Sequence, residues 1–344
     1  MVTETPSWDL RPFEEWLFEE FVPSLRTGPD AGSYAARLGE DTTALYGSAD
    51  VACILYTLGQ LDCTPAVAQG WLATLGSFQE SQSGFFVDDR GGLTTAHNTG
   101  FAVAAMQLLQ PDLRNGVLPV APLTFAGKIA DPAEAERFAA TLDWHGNCYE
   151  AGEILVGHAA TFFNVADTVP QQWFAWLVDY IESTKFDTAN GMVGLDKPPA
   201  GDMDQIGGTL HFDFMWSALG RTLPFPEARA SALLGLQRPD GLWSELNPWW
   251  LTFDSVYMLG RTIAELETGL ADRVRDAVAR ALSAVVPRAL DPAHRHADFV
   301  VPWMGAHTAT GAISMFACAQ RVLGADRVLT RRPLQLVLDR RPYI

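Results

Sequence analysis

The stretch that decides the fold is Leu236-Gln237-Arg238-Pro239-Asp240-Gly241-Leu242-Trp243, which follows an amphipathic segment. The same order of an apolar residue, Gln, Gly and an aromatic residue occurs in residues 78–86, and residues 186–193 repeat it without the Gln. Glycine can end a helix in the left-handed conformation, the Gln amide can bond the carbonyls freed there, and the aromatic ring can pin the turn onto its neighbour. We therefore interpret these stretches as recurring turns between paired helices.

Six segments of one character recur along the chain. Each begins with small or polar residues, carries one or two ionisable groups near its start, and continues as an apolar run rich in Ala, Gly and Thr. Their starts are spaced roughly 45–60 residues apart, which is the scale of a repeated helix pair. The predicted inner helices are residues 46–61, 94–109, 147–163, 208–219, 252–263 and 305–322.

Six amphipathic segments alternate with the inner set, with apolar residues at i, i+3 and i+4 and charges on the opposite face. The predicted outer helices are residues 13–25, 66–78, 133–142, 171–183, 227–236 and 272–286. This alternation predicts an all-α fold: a single (α/α)6 toroid, or barrel, of six inner and six outer helices, forming one domain over residues 1–344.

The stretch from Leu234 to Trp243 resembles the Gln-Trp motif of the terpenoid cyclase and protein prenyltransferase toroids. The alternation of inner and outer helices over nearly the whole chain is similar to that superfamily, and equally similar to the six-hairpin glycosidases, epimerases and polysaccharide lyases. Because the motif occurs in both groups, the resemblance implies the ring and leaves the reaction open.

Composition narrows the possible partners. The 344 residues are 48% hydrophobic, and the net charge is −17. Nucleic acid and anionic membranes are disfavoured partners because both need a basic surface. The first residues carry no signal-peptide pattern, and no apolar stretch reaches the roughly 18 residues of a membrane span. We expect a cytoplasmic protein that acts on a small molecule without a cofactor or metal; the sequence leaves its oligomeric state open.

Inner helices of a toroid begin at one mouth, so we expect ionisable groups near their starts to converge there. Histidine exchanges protons near neutral pH, and a carboxyl whose pKa is raised by burial can act as a general acid. The candidate catalytic residues are Asp50, His97, Glu150, His211, Asp213, Asp254 and His307. The candidate substrate-binding residues are Tyr46, Asn98, Cys148, Tyr149, Trp216, Trp250, Tyr257 and Trp303.

Alternatives remain for several of these positions. Asp50 could instead cap its helix, and a lone histidine in a first turn is often structural. The acidic residues 202–208 ahead of His211 are expected to form a flexible loop over the mouth.

Three functions fit the sequence. The first is protonation of an apolar substrate, such as an isoprenoid, by a cyclase, isomerase or dehydratase; aromatic rings would stabilise the cation. Glu40-Asp41-Thr42-Thr43-Ala44 resembles the Asp-x-Asp-Asp/Thr-Thr-Ala motif of class II terpene cyclases, whose middle Asp donates the proton, with Gly39 in place of the first Asp.

The second function is a six-hairpin carbohydrate enzyme (a glycoside hydrolase, lyase or epimerase) that uses paired carboxylates from Asp50, Asp213 and Asp254. The third is a non-catalytic ligand-binding ring. Strongly apolar inner segments such as Phe214-Met215-Trp216 favour the first function.

Overall fold

Helices make up most of the structure. The computed structural model describes residues 6–88, 93–110, 120–165, 169–194, 202–246 and 248–343. In chain order the α-helices are α1 (Arg11–Trp16), α2 (Val22–Ser24), α3 (Leu45–Thr57), α4 (Pro65–Gly76), α5 (Thr95–Leu109), α6 (Ala126–Ile129), α7 (Pro132–Ala139), α8 (Cys148–Asn164), α9 (Gln171–Thr184), α10 (Asp202–Ala218), α11 (Pro226–Leu236), α12 (Trp250–Thr262), α13 (Thr268–Leu290), α14 (Pro292–Arg295), α15 (Gly305–Leu323) and α16 (Val337–Arg340).

Short irregular elements join some of these helices. A π-helical turn, Leu17–Phe21, connects α1 to α2, a second, His296–Val300, follows α14, and a 3₁₀ turn, Ile263–Glu265, follows α12. The strands are pairs of residues: β1 (Trp8–Asp9), β2 (Phe186–Asp187), β3 (Met192–Val193) and β4 (Val328–Leu329). β1 pairs with β4 in parallel, and β2 pairs with β3 antiparallel.

The inner layer is a closed ring. Helices α3, α5, α8, α10, α12 and α15 each contact the next, and α15 returns to contact α3. Outer helices lie against this ring: α4 contacts α3 and α5, α11 contacts α12, and α13 contacts both α12 and α15. The predicted all-α toroid is confirmed. Within the described residues, no helix has the length and apolar character that crossing a membrane requires.

Small residues let the inner helices approach closely. A Cβ added to Gly157 of α8 would lie 2.6 Å from the carbonyl oxygen of Ala96 in α5. A Cβ added to Gly208 of α10 would lie 2.9 Å from the carbonyl oxygen of Cys148 in α8. Both distances are shorter than a side chain tolerates, so the Gly-rich composition of the inner segments reflects backbone-to-backbone packing around the axis.

Helix α10 differs from its prediction. It begins at Asp202 instead of Gly208, so the expected flexible acidic loop is wrong: these residues form the first turns of the helix. Gly207 and Gly208 suggested a break because glycine disfavours helix interiors. Here the contact of Gly208 with α8 explains why a glycine is retained within the helix.

The recurring turns are held by the predicted Gln, but through different carbonyls. Gln237 Nε2 donates to the carbonyl oxygens of Gly241 (2.9 Å) and Ala277 in α13 (2.8 Å). Gln79 Nε2 donates in the same way to Gly84 (2.9 Å) and Ala121 (3.1 Å). Each Gln therefore links its turn to the next outer segment and does not cap the helix before it, which corrects the predicted role.

The glycine of each turn is required for two reasons. Gly84 has φ +78° and Gly241 φ +91°, in the left-handed region that favours glycine. A Cβ on Gly84 would lie 2.5 Å from the Pro122 carbonyl oxygen, and one on Gly241 would lie 2.7 Å from that of Arg280. The turns therefore bring consecutive outer segments into direct backbone contact.

The segment after α15 fills the bore of the ring, which the sequence did not predict. Gln335 N donates to the carbonyl oxygen of Thr57 at the end of α3 (3.0 Å). α16 then contacts α3 and α10, and Asn164 at the end of α8 donates to the carbonyl oxygen of Pro342 (3.4 Å). The chain thus enters the ring at the end opposite the mouth and closes it from below.

Replacing Gln237 by Ala is expected to lower the free energy of unfolding by about 1–3 kcal/mol, because two carbonyl oxygens lose their donor. Urea denaturation measures the change. Gln171, which is exposed at the start of α9, provides the control Gln171→Ala. Equal stability of the two variants would contradict the role assigned to Gln237.

Candidate active site

A cavity of about 360 Å³ lies among the inner helices. Five of the six inner helices line it; α3 stands behind the wall. The apolar and aromatic residues of the lining are Leu93, Leu210, Phe214, Trp250, Leu251 and Met304. The polar side chains are His97, Tyr149, His211, Asp254, His307 and Thr308. Four of the predicted catalytic residues, one from each of four helices, therefore meet in one cavity.

Asp254, in the second turn of α12, is the carboxyl group of the cavity. Asp254 is 5% exposed, and its Oδ1 has no hydrogen-bond partner among the described residues. Burial raises the pKa of Asp254 well above the ordinary 3.8, because a charged carboxylate would lose its hydration there. Burial therefore favours the protonated, neutral form of this carboxyl group, which has a proton to donate.

His97, in the first turn of α5, is held by a hydrogen-bond chain. Its Nδ1 lies 2.7 Å from Tyr46 Oη, and Tyr46 Oη donates to Asn98 Oδ1 at 2.9 Å. Because an amide oxygen only accepts, the one Tyr46 proton is used, and His97 Nδ1 must be the donor to Tyr46. This assignment leaves Nε2 with a lone pair, so His97 can accept a proton.

The two histidines His97 and His211 are neutral. Burial is the main reason that the pKa of His97 lies well below 6.5, and the neighbouring His307 and His211 lower it further. Burial lowers the pKa of His211 to about 4. His211 packs edge-on to Tyr149, with ring centroids 5.3 Å apart. At neutral pH neither ring adds positive charge to the cavity.

His307 is oriented by a carboxyl group behind the wall. His307 Nδ1 lies 2.9 Å from Oδ1 of Asp50, which is fully buried in α3. Burial raises the pKa of Asp50, and the attraction of His307 opposes that shift. On the cavity side the Trp250 ring lies 4.3 Å from the His307 ring, centroid to centroid. Asp50 thus positions His307 and does not line the cavity.

Besides Asp50, two more predicted catalytic residues, Glu150 and Asp213, lie outside the cavity. Glu150 is exposed and bonds Asn147, whose Nδ2 donates to Glu150 Oε2 at 3.0 Å. Asp213 is buried; burial raises its pKa to about 6, and the positive charges of Arg229 and Arg261 oppose the rise. Asp213 is two residues from His211 and so projects from a different face of α10.

The predicted substrate-binding residues divide in the same way. Tyr149 and Trp250 line the cavity, while Tyr46 and Asn98 support His97 from behind. The remaining four residues lie elsewhere. Cys148 Sγ donates to the carbonyl oxygen of Asp204, and Trp216 Nε1 donates to Glu182 Oε1 (2.8 Å). Tyr257 lines a separate recess with Arg261 and Arg321, and Trp303, which is 51% exposed, lines a small recess with Met304.

The segment that resembles the class II cyclase motif also lies apart from the cavity. Asp41 and Thr42 are exposed, and Glu40 Oε1 accepts from Arg37 Nε at 2.9 Å. The carboxyl group that lines the cavity belongs to Asp254, which has no such motif around it.

Sequence reasoning missed several residues of the site. Gly207, Leu210 and Phe214 lie on the same face of α10 as the predicted His211, and their spacing would have shown this had the helix been extended to Asp202. The sequence also offers Glu153, which shares a helix face with Glu150, as an acid; it is buried behind the wall, where Oε1 accepts from Thr94 N (2.9 Å) and Thr94 Oγ1 (2.7 Å). No pattern in the sequence indicated Tyr343, which packs against His97.

The charge of the lining limits its ligands. None of the described residues that line the cavity is Lys or Arg. Within the part of the chain that the structure describes, no group of three or more His, Cys, Asp or Glu side chains could hold a metal ion. The described lining therefore combines apolar and aromatic residues with the carboxyl group of Asp254 and three histidines.

Comparisons with known proteins give one distant similarity. No protein-family model and no curated protein sequence matches the chain. Among solved structures, the chain is similar to the type II terpene cyclase MstE from Scytonema in complex with geranylgeranyl dihydroxybenzoate, with 16% identity over 80% of this chain and 87% of that chain and a TM-score of 0.42. A similarity this distant assigns no function to the chain.

Replacing Asp254 by Asn is expected to stabilise the protein increasingly as pH rises. The folded-state pKa of Asp254 is raised, so its contribution to stability is fully present below the unfolded value of 3.8 and is lost as pH rises towards the folded value. Thermal denaturation at several pH values measures the difference between wild type and variant. Glu150→Gln, in which the exposed carboxylate is removed, is the control; a constant difference for Asp254→Asn would contradict a neutral Asp254.

Proposed function

We propose that the protein is an enzyme that protonates a neutral, apolar, unsaturated substrate, of the isoprenoid class, inside the ring. The observation that carries the proposal is Asp254: a buried carboxyl whose Oδ1 has no partner among the described residues, in a cavity that is also lined by Leu93, Leu210, Phe214, Trp250, Leu251 and Met304. Burial of a carboxyl without a partner opposes stability and is a common way of building a general acid.

The proposed reaction begins with the Asp254 proton. Asp254 transfers it to a carbon–carbon double bond, or to a hydroxyl group that leaves as water, and a carbocation forms on the substrate. The faces of Trp250, Tyr149 and Phe214 are available to stabilise positive charge by cation–π contact. Because His97 and His211 are neutral, they do not repel the cation.

The reaction ends with proton loss from the substrate. His97 Nε2, which has a lone pair in the assignment above, accepts a proton from a carbon next to the cation, and an alkene forms. The proton then returns from His97 to Asp254 through water or product, which restores the starting state. Cyclisation, isomerisation and dehydration differ only in what the cation does between these two proton transfers.

The lining favours a substrate without a diphosphate group. A diphosphate needs Lys, Arg or a bound divalent metal ion to offset its charge. Among the residues that the structure describes, the cavity lining contains no Lys or Arg, and no cluster of side chains could hold a metal ion. A neutral head group, such as an alcohol or a simple alkene end, agrees with this wall.

The carbohydrate alternative finds less support. Paired-carboxylate hydrolysis uses two carboxyl groups about 5–10 Å apart on either side of the sugar. Asp254 is the carboxylic residue among those that line the cavity, since Asp50 bonds His307 from behind and Asp213 faces the arginines Arg229 and Arg261. The third function, a non-catalytic ring, would bind ligands and leave them unchanged. A substrate screen that measures conversion therefore distinguishes it from an enzyme.

A substrate screen tests the proposal. Neutral isoprenoid alcohols and alkenes are expected to be converted, whereas isoprenoid diphosphates and aryl glycosides are not, as gas chromatography with mass detection would show. Asp254→Asn should lower kcat by about 10²–10⁴-fold, the usual contribution of a general acid. Glu150→Gln, exposed outside the cavity, should retain wild-type kcat. Turnover of an active substrate by Asp254→Asn at more than a tenth of the wild-type rate would rule out Asp254 as the acid.

The pH profile of kcat/KM gives a second test. Activity needs Asp254 protonated, so it is lost as pH rises through the raised pKa of that carboxyl. Activity also needs His97 neutral, so it is lost as pH falls through the lowered pKa of that imidazole. We expect the loss of activity on the alkaline side to lie well above pH 3.8, the ordinary pKa of aspartate, and the loss on the acidic side to lie well below pH 6.5, the ordinary pKa of histidine. A loss on the acidic side centred at pH 6.5 would contradict the assignment of His97.

A further inference from the structure

Tyr343 occupies an unusual position in the bore of the ring. It is fully buried, and its φ of +98° lies in the left-handed region that residues other than glycine rarely adopt. Its ring packs edge-on to His97, with centroids 4.8 Å apart, and edge-on to Phe214 at 5.3 Å. It also stacks beneath His211 at 6.2 Å. His97, His211 and Phe214, which all line the cavity, therefore contact the side chain of Tyr343.

The order of residues along α10 places Tyr343 at the deep end of the cavity. Asp254 lies level with Gly207, since a Cβ on Gly207 would be 3.6 Å from Asp254 Oδ2. His211 is one helical turn further from the mouth, and Phe214 nearly another. Tyr343 contacts His211 and Phe214, so it lies below the acid, at the level where the cavity ends.

The segment below Tyr343 fills the rest of the bore. Arg341 is buried against α3, where Nη2 contacts Cys53 Sγ at 3.6 Å, while its Nε and Nη1 have no partner among the described residues. A partly unpaired buried guanidinium and a left-handed tyrosine both oppose stability. Features that lower stability in this way tend to occur where a function requires the backbone to hold one particular conformation.

Tyr343 packs directly behind the lining residues His97, His211 and Phe214, and from these contacts we propose that it supports the floor of the cavity and thereby sets the longest apolar chain that the cavity accepts. This inference rests on the proposed function, because it takes the cavity to hold an apolar substrate whose reacting end lies at Asp254. Tyr343 is a specificity-determining residue and takes no part in proton transfer.

Binding of saturated primary n-alkanols tests the floor without any turnover. For the wild-type protein, titration calorimetry should show that the affinity for the alkanol rises about fourfold with each added methylene group until the chain reaches the floor at Tyr343. Longer chains should bring no further rise in affinity. In Tyr343→Ala and Tyr343→Leu the rise should continue to longer chains. Tyr343→Phe keeps the ring and should keep the wild-type limit.

A matched control comes from a buried tyrosine that lies outside the cavity. Tyr257 is equally buried but lines the separate recess with Arg261, so Tyr257→Leu should keep the wild-type length limit. If Tyr343→Leu is folded and shows the wild-type limit, the floor is elsewhere and the proposal fails.

A measurement on the unmodified protein covers the case in which both smaller variants fail to fold. An alkanol at the limiting length, with a diazirine on its last carbon, should label Phe214 or Tyr343 on illumination. Labelling confined to Leu93, Met304 or Thr308 would overturn the floor. A wild-type protein that binds no alkanol would overturn the apolar substrate itself, whereas binding with a length limit that ignores Tyr343 would overturn only the floor.

Discussion

Close contact between inner helices is the constraint on which the rest of the structure depends. Gly157 lies against the Ala96 backbone and Gly208 against the Cys148 backbone, so neighbouring inner helices pack backbone to backbone and the ring is narrow. A narrow ring of apolar helices leaves little room for water around any polar group that faces the axis. The groups that do face it, Asp254 and the histidines, are consequently desolvated.

Desolvation acts against the ordinary order of acid and base strength in the cavity. A carboxyl is normally the stronger acid and an imidazole the stronger base, and in water a proton would move from the first to the second. Here burial raises the pKa of Asp254 and lowers those of His97 and His211, which favours the neutral form of all three groups. The same burial that packs the ring therefore favours a protonated carboxyl and neutral imidazoles in one cavity.

The sequence predicted the ring and the meeting of His97, His211, Asp254 and His307, because helix starts converge wherever inner helices share a mouth. The sequence did not show that His211 and Tyr149 line the cavity, whereas their neighbours Asp213 and Cys148 lie outside it. Amphipathic helices reveal their buried face by their pattern, but inner helices are apolar on every side and leave no such stripe. The first turns of α10 were missed because glycine propensity argued against helix there, and tertiary packing decided otherwise. Tyr343 belongs to no repeat, and its place in the bore depends on contacts with residues far away in the chain.

The protonation state of Asp254 at neutral pH is the most direct test of this account. Infrared difference spectra of wild type against Asp254→Asn, recorded at pH 7 without substrate, would isolate the absorption of this one side chain. The account predicts a carboxylic-acid C=O band that the variant lacks. A difference spectrum with only carboxylate bands would show that Asp254 is ionised in the resting protein, and the buried-acid explanation of the site would be wrong.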